Sequence, residues 1–266
     1  MRSTTGRRRA GAVSGDPART RGDGAPRYGI ARVISKRGFC SRTEAAAWVR
    51  AGRVRIDGRV ILDPEFPTRL DEPRLSIDGA RAAALMPVYL MLNKPRGLVT
   101  TACDEQGRDT VYRCLDGATL GDAPMPWLAP VGRLDKASEG LLLFTNDPQW
   151  AARITDPEAG LRKTYHVQID QLPDDALLEA LRVGVDAAGE RLSAVSATLL
   201  RAGERHAWLE IVLDEGRNRQ IRRLLSAFDV AVLRLVRVAI GGLPLGDLAK
   251  GAWRPLTVSD LDRLFA

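Results

Sequence analysis

Four stretches of this 266-residue chain bring together side chains that suit catalysis. Val131-Gly132-Arg133-Leu134-Asp135 sets a carboxylate two residues after a guanidinium and just ahead of Ser138-Glu139-Gly140 and the apolar run Leu141 to Phe144. Asn93-Lys94-Pro95-Arg96-Gly97 is a basic turn, Lys163-Thr164-Tyr165 opens an alternating stretch with a tyrosine, and Glu215 to Arg223 carries Arg217, Arg219, Arg222 and Arg223. Alone, such an Asp is a solvated loop residue; in this company it suits a carboxylate that attacks an electrophile or steadies developing positive charge. Enclosure raises an Asp pKa, whereas an Arg within about 4–6 Å lowers it by roughly 1–3 units, so the site needs a fixed cation. Arg222 fits, because Ile221, Leu224, Leu225 and Phe228 at i, i+3, i+4 and i+7 bury one helix face and leave Arg222 at its margin. Asp135 and Glu139 also read as a carboxylate pair for glycoside hydrolysis. With aromatics at 5% of the chain, nothing suggests the sugar-binding cleft that reading requires.

Strands and turns must hold these groups. Leu141 to Thr145 reads as a strand ended by Asn146-Asp147-Pro148; Tyr165, Val167 and Ile169 alternate on another, and Trp208 to Leu213 forms a third. Val88 to Leu92 is a strand, 94–97 a turn, and Leu98 to Thr101 its expected partner, while 102–130 reads as a long surface loop. Upstream, Ile30, Val33 and Ile34 predict a short helix ending at Gly38. Ser41 with Glu44 forms a capping box that opens a second helix, which buries Ala45, Trp48 and Val49 and stops at Gly52. Val54 and Ile56, the turn Asp57-Gly58, then Val60 and Leu62 predict a hairpin with arginines outward, and Leu75 to Gly79 a second strand and turn. Strands in meander order with helices between some of them give an α+β class with a largely antiparallel sheet.

The net charge of +7 is unevenly spread. Residues 1–27 carry +5 and 28–62 carry +6, so the remainder is acidic, and a polyanion would meet the N-terminal quarter first. Residues 1–27 mix Arg, Gly, Ser, Ala and Pro without apolar periodicity and read as a disordered basic tail. Cys40, Cys103 and Cys114 with His166 and His206 show no paired ligand spacing, which argues against a metal site or disulfide framework; Cys103 and Cys114 read as small core or loop residues. The apolar stretch from Val230 to Gly242 is interrupted by Arg234 and Arg237, so no membrane span is expected, and no apolar run follows Arg7-Arg8-Arg9, so neither is a signal peptide. The expected location is the cytoplasm.

Gly132-Arg133-Leu134-Asp135 followed by Ser138 to Asp147 resembles the central motif of the RsuA/RluB-type pseudouridine synthases, single-site modifiers of ribosomal RNA. Asn93 to Gly97 is similar to their first motif, Lys163-Thr164-Tyr165 to their tyrosine motif and Glu215 to Arg223 to their third. Residues 28–79 resemble the small RNA-binding domain named after ribosomal protein S-four. Asp156-Pro157 departs from a common His-Pro, and Pro148 from a usual Gly. The resemblance implies a small helix-pair and hairpin RNA-binding domain over 28–86, then a mainly antiparallel-sheet catalytic domain over 87–266. It further implies that Asp135 is the catalytic nucleophile and that Tyr165 stacks on the base and takes a proton from its carbon 5. Arg222 would be the counter-charge, and Arg133 would fill the gap left by the flipped uridine.

Breaking the glycosidic bond, turning the uracil and rejoining it through carbon 5 needs no outside electrons or groups, so no cofactor or metal is expected. Lys36, Arg37, Ser41, Arg42, Arg53 and Arg55, with Arg217 and Arg219 beside the third motif, are the expected RNA-binding residues. The expected partner is ribosomal RNA, with the large subunit favoured, or a ribosome-assembly intermediate, bound by a monomer. The rival from another class is a non-enzymatic ribosome-assembly protein. Asp135, Tyr165 and Arg222 together discriminate against it, because a pure RNA binder has no use for a carboxylate facing phosphates.

Overall fold

The computed structural model describes residues 26–266 apart from Ala84, Cys103 and Ala188. Residues 1–25 of the expected disordered tail, and Cys103, lie outside the described residues. Arg27, assigned to that tail from sequence, instead pairs with Arg69 in a two-stranded ladder of β1 (Arg27–Gly29) and β4 (Pro67–Arg69).

The N-terminal unit forms as its local signals require. Helix α1 (Ile30–Lys36) buries Ile30, Ala31, Val33 and Ile34, and α2 (Arg42–Arg50) starts at Ser41, whose hydroxyl accepts from the Glu44 N–H. Ala45 and Val49 are buried, whereas Trp48 is only half-buried. Strands β2 (Val54–Ile56), β3 (Arg59–Val60), β5 (Leu75–Ile77) and β6 (Ala80–Arg81) form a sheet in the order β3-β2-β5-β6. Asp57 and Gly58 both take positive φ, 53° and 76°, as a type I′ turn requires. The expected second arm is not a buried strand: β3 spans two residues, and Val60 and Leu62 are exposed.

The larger unit is built on one sheet, ordered β15-β16-β12-β17-β11-β7-β19, with β10 added to β11 and β18 to β17. The ranges are β7 Tyr89–Lys94, β10 Ala129–Val131, β11 Glu139–Thr145, β12 Lys163–Ile169, β15 Ser196–Ala202, β16 Ala207–Leu213, β17 Val232–Ile240, β18 Leu243–Pro244 and β19 Trp253–Pro255. All these pairings are antiparallel except β11 with β17, and the order is not a simple meander. In the middle, alternate residues feed two cores: Leu90, Leu92, Leu142 and Phe144 on one face, Met91, Leu141 and Leu143 on the other. Helices α4 (Asp175–Val183) and α5 (Gln220–Ser226) pack into the first core, α3 (Pro148–Thr155) and α6 (Val258–Leu264) into the second. Gly140 holds β11 and β17 close; a Cβ there would lie 2.2 Å from the Arg237 carbonyl oxygen.

Leu98 to Thr101 does not pair with β7, because both β7 edges are taken, by β11 and β19. Instead Val99 bridges to Thr110. The expected surface loop 102–130 is partly inside: Val111 and Leu128 are buried in the first core, with Cys114 packed against it. Two short hairpins, β8 (Thr119–Leu120) with β9 (Ala123–Pro124) and β13 (Val185–Ala187) with β14 (Glu190–Leu192), complete the strands. Asn146 ties the two units together: its side chain donates to the Met86 carbonyl and accepts from the Val88 N–H.

Candidate active site

Asp135 sits in the loop between β10 and β11, and residues 94–100 fix that loop's shape. The Lys94 ammonium, fully buried, donates to the carbonyl oxygens of Pro95, Asp135 and Ser138 at 3.1, 3.2 and 2.8 Å. Thr100 Oγ1 donates to the Leu134 carbonyl at 2.7 Å and accepts from the Leu134 N–H, while the Gly97 N–H donates to Lys136 O at 2.8 Å. The backbone around Asp135 is thus held from three points, leaving its carboxylate pointed outward and about one-third exposed. Burial pushes the Lys94 pKa down to about 8, with the Asp135 charge opposing the shift. Sequence reading placed Lys94 in a motif but gave it no role; a lysine amid strand residues in Tyr89 to Lys94 was the available signal.

The carboxylate opens into a cavity of about 540 Å³. Among the described residues its walls carry seven cations (Arg133, Lys136, Lys163, Arg217, Arg219, Arg222 and Arg237) against the carboxylates of Asp135 and Glu215. Tyr165 lines it from β12 with only 9% of its surface exposed, opposite Arg237 of β17 in the strand register. Burial and the neighbouring Arg237 both lower the Lys163 pKa. A pocket of this size and sign has room for a nucleotide: apolar walls from Leu134, Leu213, Ile221 and Leu235 suit a base, and the guanidiniums suit phosphates.

The structure brings Asp135, Tyr165, Arg133, Arg217, Arg219 and Arg222 to this one cavity. It does not place Arg222 in contact with Asp135 as the helix pattern suggested. The guanidinium nearest the carboxylate is that of Arg219, at 3.5 Å. Arg219 precedes α5 in a left-handed conformation, φ 50°, which the periodicity of 221–228 did not reveal. Arg222 instead donates to Val232 O at 3.1 Å and reaches Ala137 O at 3.5 Å, bracing the Asp135 loop against β17; burial and Arg219 lower its pKa, with Asp135 opposing. Glu139 is no partner for Asp135: it is buried in an ion cluster with Arg234 and Lys250. Arg217 pairs with Glu215 at 2.7 Å.

In the N-terminal unit, Arg37 departs furthest from the expected RNA-binding role. It is 6% exposed and donates to the carbonyls of Leu70, Ala82 and Glu72, so it is an internal tie and not a phosphate ligand. Arg42 pairs with Glu65 at 3.0 Å, and Arg53 grips Asp78 with two nitrogens while lying over the Trp48 ring. The Lys36 ammonium lies 4.2 Å from the Tyr28 ring centre, Arg55 donates to Gly58 O, and Ser41 caps α2. The polyanion-ready charge there is smaller than the count of basic residues suggests. Among the described residues no helix is long and apolar enough to cross a membrane.

A family model described as RNA pseudouridylate synthase matches residues 88–227, and the S4 domain model matches 29–71. An uncharacterised RNA pseudouridine synthase of Rickettsia felis is 32% identical over 238 residues, covering 88% of this chain and 99% of that protein. One of Mycobacterium tuberculosis strain H37Rv is 34% identical over 240 residues, covering 89% and 92%. A crystal structure of a pseudouridylate synthase superposes with a TM-score of 0.61 at 28% identity, covering 90% of this chain and all of that one. The chain belongs to the RNA pseudouridine synthase family, with an S4 RNA-binding domain ahead of the catalytic domain in the RsuA/RluB-like arrangement. It is therefore an isomerase of uridine in RNA, and the reading as a non-enzymatic assembly protein is set aside.

Proposed function

We propose that the protein converts a uridine of ribosomal RNA, in the large subunit, to pseudouridine, with Asp135 as the catalytic nucleophile. The observation that supports this is the Asp135 carboxylate, held by a pinned backbone, at a nucleotide-sized cavity whose charged groups are mostly cationic. A carboxylate amid cations repels phosphate and weakens binding, and Glu215 is already paired with Arg217, so the placement of Asp135 suits chemistry and not affinity. Phosphates flanking the flipped uridine meet Arg217 and Arg219, and Arg133, exposed at the rim, fills the vacated stack. As Arg219 turns to a phosphate, Asp135 is released to attack the substrate, and the bond it forms breaks again as the product forms, so the free carboxylate is regenerated. The bond between nitrogen 1 and the sugar breaks, the uracil turns against Tyr165, and carbon 5 joins the sugar. The proton lost from carbon 5 is relayed through the Tyr165 hydroxyl, which gives up its own as it takes one, and nitrogen 1 receives it, so composition is unchanged. Arg222 acts as a brace for the Asp135 loop and as a longer-range counter-charge.

The remaining parts of this reading are a monomer that works in the cytoplasm, residues 28–86 as the RNA-binding domain and 87–266 as the catalytic one. The ribosomal target rests on the motif resemblance and on the S4 domain, an RNA-binding module. Mapping pseudouridines in ribosomal RNA from cells with and without the gene tests it. Loss of one large-subunit position is the expected result; identical maps would refute the ribosomal target.

A further inference from the structure

The half of the sheet formed by β15, β16, β12 and β17 buries only one face. Along β16, Ala207, Leu209, Ile211 and Leu213 are buried while Trp208, Glu210 and Val212 face away from the core, half-exposed. Across that outer face the registers set one row: Arg201 opposite Trp208, Trp208 opposite Gln168, Gln168 opposite Arg234. The indole carries a guanidinium on each side, Arg201 at 5.2 Å and Arg234 at 5.5 Å from its ring. Beside it lies a second cavity of about 470 Å³, lined by Gln168, Arg201, Glu204, Arg205, His206 and Trp208.

We propose that this outer face around Trp208 is a second RNA contact, holding a single-stranded nucleotide and its phosphate away from the catalytic cavity. The inference rests on RNA as the substrate class, which family membership gives, and not on the ribosomal target. Trp208 lies opposite Gln168, three residues along β12 from Tyr165 and on the other face, so about 10 Å of strand separates the row from the catalytic tyrosine. One RNA must wrap the sheet edge to reach both. The charge points to a polyanion: Arg201, Arg205, Arg234 and Lys250 stand against Glu204, Glu210 and Glu139, of which Glu210 lies 3.5 Å from His166 and Glu139 is already shared by Arg234 and Lys250. Among the described residues neither Arg201 nor Arg205 is ion-paired to a carboxylate, unlike Arg42 and Arg53 of the N-terminal unit. A guanidinium stacked on an indole keeps its N–H edge free and loses little freedom on meeting a phosphate, while Gln168 and His206 offer polar contacts to a base edge.

The test compares wild type with the double variant Arg201→Glu/Arg205→Glu, both on exposed positions outside the catalytic cavity, and with Trp208→Phe, which keeps a ring in the row. The probe is single-stranded oligouridylate, bound at several salt concentrations, with single-turnover rates on RNA transcripts at saturating enzyme. The double variant should bind about five- to twenty-fold more weakly, with the slope of log affinity against log salt reduced by about 1–2. Trp208→Phe should weaken binding by less, and turnover should be unchanged in both. Unaltered affinity and slope in the double variant would overturn the proposal. So would retained RNA affinity accompanied by lost binding to anionic vesicles, which would assign the face to lipid headgroups.

Discussion

The Asp135 carboxylate meets the Arg219 guanidinium at 3.5 Å, while Arg222, one helical turn further, donates through Nη1 and Nη2 to the carbonyls of Val232 and Ala137. Two arginines three residues apart thus divide what one was expected to do. Arg219 touches the acid, and Arg222 holds the loop that carries it.

Kinetics and stability should separate these roles. Arg222→Ala removes a brace and leaves buried carbonyls without their donor, so it should lower stability by about 1–3 kcal/mol and reduce kcat, with Arg222→Lys a partial rescue. Arg219→Ala should change stability little, since a half-exposed ion pair contributes at most about 1 kcal/mol, and should mainly raise KM for RNA. A double-mutant cycle in thermal unfolding should show stronger coupling between Asp135 and Arg219 than between Asp135 and Arg222.

Lys94 makes stability depend on pH in a definite direction. In the folded chain it loses its proton near pH 8, whereas its ordinary value is 10.5. Between these values the unfolded chain binds more protons, so unfolding is increasingly disfavoured as pH rises. Wild type should therefore gain stability relative to Lys94→Met from about pH 8 to 10.5, with no further change from this group below pH 7. Lys94→Met should also lose turnover at neutral pH, because the carbonyls of Asp135 and Ser138 lose their donor. Denaturant midpoints across that pH range, beside single-turnover rates, provide the check.

Arg37→Ala should destabilise the N-terminal unit by about 3 kcal/mol or more, since three carbonyl oxygens lose their donor at about 1–3 kcal/mol each. At temperatures where the variant stays folded, the salt dependence of RNA binding should match wild type. A reduced slope would return Arg37 to the phosphate-binding surface.

What could be read from sequence was local. The Asp135 loop, the alternation at Tyr165, the Ser41 half of the expected capping box and the Asp57-Gly58 turn are encoded within a few residues, and each forms. Pairings between distant strands were not encoded in this way. Leu98 to Thr101 follows β7 after a turn, yet the β7 edges belong to strands some 50 and 160 residues downstream. Arg37 looked like its exposed neighbours because basic residues at a helix end have the same pattern whether they face phosphate or carbonyls. The reach of Arg219 to Asp135 was not legible because its left-handed backbone leaves no trace in hydrophobic periodicity.

We propose that the Asp135 carboxylate performs the isomerisation within a cavity whose cations perform the binding. The most direct test is tritium release from RNA carrying 5-tritiated uridine, under single-turnover conditions, for wild type and Asp135→Asn, with RNA affinity measured on the same samples. The variant should release no tritium above background while binding as well as wild type or slightly better, since a negative charge has been removed from a phosphate-facing wall. Release by Asp135→Asn at a rate near wild type would contradict the account, and the catalytic carboxylate would have to be sought elsewhere.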